Sequence, residues 1–189
     1  MNRKSVNCLF FTSLILLWAG IIFPAVADDD HYYEQRESEH EHHRENHHAE
    51  GRFKAVMNPV YKEQCGDCHF AYQPEWLPSA SWLKILDNLD DHFGEVVELD
   101  DDSKRIISGY LASNGADKSY TKRAVKVMRS LGNQTPLRIT DTPYMKRKHH
   151  EISSNILNRE SIGSLSNCSA CHIHAENGIY DDDYVRIPK

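Results

Sequence analysis

The chain has 189 residues, with 28 acidic against 22 basic side chains and a formal net charge of −6. An acidic balance argues against nucleic acid or anionic lipid as a partner, and it suits a basic docking partner instead. The length allows one small domain, or two very small lobes sharing a seam.

Residues 1–27 read as a targeting segment. Arg3 and Lys4 make a short basic start, Cys8 to Pro24 is apolar, and Ala25-Val26-Ala27 is an A-x-A cleavage site that leaves Asp28 as the new N-terminus. An uncleaved membrane anchor is the alternative. Cys8 lies at the front of the apolar run, so it does not sit in a lipoprotein-type site. Removing the segment takes away Arg3 and Lys4, moving the formal charge from −6 to −8, and it takes away Cys8.

Residues 28–50 hold six of the twelve histidines: His31, His40, His42, His43, His47 and His48. With almost no aliphatic content, this His/Glu-rich segment cannot bury enough surface to offset its ordering entropy, and it is expected to be disordered. It reads as a solvated linker, with zinc, copper or nickel binding as the functional alternative.

Folded structure is expected from Gly51 onward, split as 51–115 and 116–189. Phe53, Val56, Met57, Val60 and Tyr61 recur at helical spacing, with Asn58 as a cap and Pro59 in the first turn. The helix is predicted to run from about Asn58 into Cys65-Gly66-Asp67-Cys68-His69. This C-x-x-C-H box returns as Cys168-Ser169-Ala170-Cys171-His172. Two thiols three residues apart share a helical face and can each form a thioether to a haem vinyl group, while the adjacent histidine offers its imidazole to the iron. Cys65, Cys68, Cys168 and Cys171 are therefore the candidate covalent attachment points of two haem c groups, with His69 and His172 as proximal ligands. A four-cysteine zinc site is the alternative, but it leaves both histidines unexplained. No thiol remains for a structural disulfide. With two haems in a little under 140 residues, porphyrin faces supply apolar surface that a large side-chain core would otherwise provide.

Tyr72 to Pro78 contains two prolines and is predicted to be an extended loop, with Tyr72, Trp76 and Leu77 packed on a haem edge. Trp82, Ile85, Leu86, Leu89, His92 and Phe93 then mark one face of a helix from Ser79, capped by Ser79 or Ser81 and stopped by Gly94. His92 on that stripe is either a hydrogen-bonded core residue or the distal ligand of the first haem; the need for a sixth ligand favours the second. Residues 95–102 are acidic and lead to a cap. Ile106, Ile107, Tyr110 and Leu111 form a short helix ended by Asn114-Gly115. Another helix is predicted from Asp117 to Leu131, apolar at Ala124, Val127, Met128 and Leu131 and basic at Lys122, Arg123, Lys126 and Arg129. Met128 reads as core rather than as a thioether ligand. The basic face is a solvated surface or a docking surface for an acidic partner.

Thr142-Pro143 looks like a cap and first-turn proline. Tyr144, Met145, Lys148, His149 and Ile152 share a helical face, and His150 is rotated away from it. His174 is too near His172 to reach round a porphyrin. The distal ligand of the second haem is therefore expected upstream: His149, with His150 in reserve and Met145 third.

These residues resemble the bacterial dihaem cytochrome c (DHC) family. The likeness rests on Cys65 to His69 with Tyr72, Pro74, Leu77-Pro78, Ser81-Trp82 and His92-Phe93-Gly94-Glu95. It continues through Thr135-Pro136, Arg138-Ile139-Thr140, Arg147-Lys148-His149, Asn167 to His172 and Arg186-Ile187-Pro188. The resemblance implies a mainly α fold with few or no strands, an N-terminal class I-like haem lobe and a C-terminal haem lobe. It also implies two low-spin bis-histidine haems, with His92 and His149 matching recurrent histidines suited to the distal positions. Members look like periplasmic electron carriers, not enzymes, often paired with a b-type membrane cytochrome or a small ligand-binding c-type cytochrome. His150 and the His-rich tract depart from the family pattern. The rivals are a dihaem peroxidase or a gas-binding sensor, each needing one open haem, and a metal-handling protein centred on residues 28–50.

Overall fold

The computed structural model describes residues 51–189; the targeting segment and the His/Glu-rich tract lie outside the described residues. The α-helices are α1 (Pro59–Cys65), α2 (Ser79–Leu86), α3 (Asp101–Asn114), α4 (Lys122–Leu131), α5 (Pro143–Lys148) and α6 (Ser154–Leu157). Short 3-10 turns link them, and the only β pairing among the described residues is two isolated bridges, His92 with Glu95 and His172 with Val185. The mainly α expectation holds.

Side-chain caps set several helix starts. Asn58 accepts from Tyr61 N at 2.9 Å, Asp100 from Ser103 N at 2.9 Å and Thr121 from Ala124 N at 3.3 Å. Thr142 is fully buried; its hydroxyl accepts from Met145 N at 3.2 Å and donates to Ile139 O at 2.9 Å. Thr142→Ala should cost about 1–2 kcal/mol in guanidinium unfolding of the haem-loaded protein, and Thr142→Ser much less.

Three helices differ from the sequence expectation. The one after Asn58 stops at Cys65 instead of running into His69. The stripe helix stops at Leu86, before His92, where Asn88 and Asp91 bond local backbone in place of continuing it. Asn88 Nδ2 donates to Asp91 O at 3.1 Å, and Asp91 Oδ1 accepts from Gly94 N at 3.0 Å. Its start has no side-chain cap of its own; Ser79 N donates to Asp117 Oδ1 at 2.6 Å, and Ser81 is buried. The helix expected from Asp117 begins at Lys122, after a 3-10 turn at Ala116–Lys118. The loop after Tyr72 contains a 3-10 turn, Pro74–Trp76, and is not extended throughout.

Two apolar clusters result. In one, Tyr61, Leu77, Trp82 and Leu86 pack against Ile107 and Leu111 of α3. The other joins Ala124, Val127 and Leu131 of α4 to Tyr144, Met145, Ala175 and Tyr180. Phe53 and Trp76, from the N-terminal part of the described chain, belong to the second cluster. Phe53 is held there by its own backbone, whose N–H donates to Gly178 O at 3.0 Å.

Candidate haem sites

The first box leaves the end of α1. Cys65 closes the helix, and Gly66 turns the chain so closely that a Cβ on it would lie 2.2 Å from the Lys62 carbonyl oxygen. Asp67, Cys68 and His69 follow in a bend, exposed. The His92 turn lies opposite. Phe93 adopts φ +62° and Gly94 φ +104°, a reversal that aims the His92 ring back at His69. The two imidazoles are near parallel, with centroids 6.4 Å apart and planes at 29°. They line a cleft of about 550 Å³ with Cys65, Cys68, Leu77 and Leu86. The Arg138 guanidinium sits 4.0 Å from the Phe93 ring centroid and braces that turn.

The second box forms a 3-10 turn, Cys168–Ala170, closed by His172 N donating to Cys168 O at 2.8 Å. The C-terminal segment lies back over it: Arg186 N donates to Cys171 O at 2.8 Å, and Arg159 Nη1 donates to the Pro188 carbonyl. His149 caps α5, and its ring stands 6.1 Å from that of His172, nearly perpendicular at 79°. The second cleft is smaller, about 200 Å³, and its lining includes Tyr144, Met145, Lys148, His149 and Ile152. These five were expected to share one helical face. However, α5 ends at Lys148, so His149 stands at its C-cap and Ile152 beyond it, and Trp76 and Tyr180 complete the lining.

The residues fit a haem at both places. With metal–imidazole bonds of about 2 Å on each side, two rings facing one iron have centroids about 6 Å apart, which both pairs match. His69 Nδ1 lies 2.9 Å from Phe70 O, and His149 Nδ1 lies 3.1 Å from Met145 O. A ring that donates from Nδ1 presents an unprotonated Nε2 to a metal. Burial, then the neighbouring His69 and Arg138, lowers the His92 pKa. Burial, then His149 and Arg123, lowers that of His172 to about 4 against a weak opposing effect of Asp182. Both imidazoles are thus held neutral, the form that ligates. Burial also raises the thiols: Cys65 to about 11, Cys168 to about 11, and Cys171 in the same direction. Such surroundings suit an uncharged thioether better than a thiolate.

The alternatives at these residues do not assemble. Among the described residues no three His, Cys, Asp or Glu side chains converge as a metal cluster, so the four cysteines form no zinc site. His150 is exposed, with Nδ1 2.8 Å from Arg147 O, and lines neither cleft. Met128 packs on the α4 cluster, as expected of core, and His174 stacks edge-on with Tyr184. Trp76 lines the second cleft, whereas Tyr72 and Leu77 line the first.

Sequence reading missed how the boxes are joined. Tyr72 stacks on His69, with centroids 4.8 Å apart and planes at 30°, and its hydroxyl donates to Ser166 O at 2.7 Å. Gln73, fully buried, donates from Nε2 to Ala175 O at 2.7 Å and accepts from the Tyr180 hydroxyl at 2.5 Å. Tyr180 in turn lies edge-on to His172 at 5.3 Å. Burial raises the pKa of both tyrosines, so both hydroxyls keep their protons. A glutamine and a tyrosine outside any periodic pattern carry no local signal of this pairing.

A profile of the family described as dihaem cytochrome c matches residues 61–180. A solved structure of a dihaem cytochrome c from Rhodobacter sphaeroides is similar, with 41% identity, 67% of this chain and 99% of that chain covered, and a TM-score of 0.60. A dihaem cytochrome c from Shewanella baltica is 35% identical over 69% of this chain and 93% of that one, with a TM-score of 0.57. No curated protein matches the sequence.

Proposed function

Because the chain belongs to the dihaem cytochrome c family, and so carries two covalently bound haem c groups, we propose that this electron-transfer protein is a periplasmic relay. It takes and gives one electron at each of two bis-histidine haems and catalyses no reaction on a substrate. The observation that carries this reading is the pair of facing imidazoles at each box, 6.4 Å and 6.1 Å apart.

Cys65 and Cys68 hold the first haem, and Cys168 and Cys171 the second. His69 with His92, and His172 with His149, are the residues that would hold the two irons. Each iron supplies reversible ferric–ferrous chemistry. The chain keeps a ligand on both faces, which excludes substrate or gas, and two imidazoles favour the ferric form and hence low potentials. Among the described residues no helix is long and apolar enough to cross a membrane. Export through residues 1–27 places the work in the periplasm.

Charge supports docking by protein partners. Glu95 and Glu98 line the first cleft and are exposed, as are Asp87, Asp90 and Asp91 in the stretch leading to it. Lys148 lines the second cleft and is exposed, as are Lys126, Arg129, Lys146 and Arg147 on α4 and α5. Opposite signs at the two sites steer different partners, such as a b-type membrane cytochrome and a small ligand-binding c-type cytochrome.

The test is a reductive titration with carbon monoxide and electron paramagnetic resonance. The protein should take up two electrons per chain and, when reduced, bind no carbon monoxide. Near-parallel imidazoles donate into the same iron orbital and split the pair strongly, whereas perpendicular ones leave it nearly degenerate. The ferric protein should therefore show two low-spin signals, one rhombic from the first haem and one strongly axial from the second. Prompt carbon monoxide binding by the parent protein, or a high-spin ferric signal, would sink the bis-histidine reading and favour a peroxidase or sensor.

A further inference from the structure

We propose that Tyr72 and Tyr180 are reciprocal positioning residues: each packs on the proximal histidine of one haem and is anchored by its hydroxyl to the segment that carries the other. Tyr72 covers the His69 ring at 4.8 Å, and its hydroxyl donates to Ser166 O at 2.7 Å, two residues before Cys168. Cys168 Sγ is itself 3.5 Å from that same carbonyl oxygen. In the other direction Tyr180 stands edge-on to His172 at 5.3 Å, and its hydroxyl donates to Gln73, the residue after Tyr72. Gln73 then closes the loop by donating to Ala175 O, three residues beyond His172.

The arrangement is a closed ring of contacts through both boxes. The Tyr180 hydroxyl's bond to the Gln73 amide is buried and costly to break, because the acceptor would be left without a partner away from water. The Tyr72 hydroxyl's bond reaches the carbonyl of the exposed Ser166, so on that side the stacking of Tyr72 on His69 carries more of the coupling. Turning the His172 ring therefore strains the segment that follows His69, and turning the His69 ring pulls through Tyr72 on the Ser166 carbonyl beside Cys168. His172 Nδ1 is buried with no hydrogen-bond partner, so packing against Tyr180, not a hydrogen bond from the ring itself, is left to fix its plane. A change at one haem is transmitted to the ligand plane at the other along this path.

This rests on the bis-histidine reading, and the experiment separates the two. Tyr72→Phe keeps the ring on His69 and deletes only the bond to Ser166 O; Tyr180→Phe keeps the ring on His172 and deletes only the bond to Gln73. Each is made in the full chain with two haems per chain verified, and the paramagnetic resonance and midpoint potentials of both haems are recorded. The expected result is a cross effect. Tyr72→Phe shifts or broadens the axial signal and moves the potential of the second haem, and Tyr180→Phe does the same to the rhombic signal of the first. Both variants stay low-spin and closed to carbon monoxide. Shifts confined to the haem beside each substitution, or no shift at either, would overturn the latch and leave the bis-histidine sites standing. A parent protein that is high-spin or binds carbon monoxide would instead overturn the ligand assignment on which the latch depends.

Discussion

His149→Ala should open the second haem: the reduced variant binds one carbon monoxide per chain promptly, and its ferric form turns high-spin at that site. The reason is the ring's placement. His149 caps α5 with its ring 6.1 Å from His172 and lines the cleft with Tyr144, Met145 and Ile152. Its neighbour His150 lies beyond the end of α5, exposed and with Nδ1 2.8 Å from Arg147 O. His150→Ala should therefore leave the spectrum and the closed state unchanged. His92→Ala should open the first haem in the same way, since that turn supplies the ring facing His69. A closed second haem in His149→Ala, together with an open one in His150→Ala, would reverse the assignment. Met145 is buried in the same cleft. Its capture of the iron would announce itself as a higher potential with low-spin character retained.

Gly178→Ala should be the most damaging single substitution outside the boxes, losing about 3 kcal/mol or more of stability. Two penalties coincide. Gly178 adopts φ +75°, a region that an L side chain enters at a cost. An added Cβ would also lie 2.3 Å from the Phe53 carbonyl oxygen and 2.8 Å from its carbon, both backbone atoms that cannot rotate aside. Relieving the clash breaks the bond from Phe53 N to Gly178 O and lifts Phe53 from Trp76, its edge-on partner at 4.7 Å. Denaturant unfolding of the haem-loaded protein gives the loss directly. Gly163→Ala is the control, because Gly163 has the same φ of +75° but open space around its Cβ. It should cost only the backbone share, about 1–2 kcal/mol. Equal losses at the two glycines would show that the contact with Phe53 adds nothing.

The sequence by itself determined the chemistry and most of the helices. The proposed attachment atoms and proximal imidazoles are read from two C-x-x-C-H boxes, because covalent spacing is local. Thr142-Pro143 and the Tyr144, Met145, Lys148, His149, Ile152 face were legible for the same reason: a cap and a 3.6-residue period act over one or two turns. Ala124, Val127 and Leu131 read correctly as core on that basis. The His92 helix misled because apolar spacing continued after the backbone had left the helix; Asn88 and Asp91 supplied competing local hydrogen bonds. His92 reaches its place on a turn with φ +62° at Phe93, not on a helical stripe. Only the tertiary structure decided which imidazoles face each other, at what angle, and how the boxes are tied. The pairs 69 with 92 and 149 with 172, and the links from Tyr72 to Ser166 and Gln73 to Tyr180, join residues 23 to 107 positions apart. No periodicity in a sequence encodes such contacts; they form when two apolar clusters close and bring distant groups together, the buried Gln73 and Tyr180 among them, to satisfy each other.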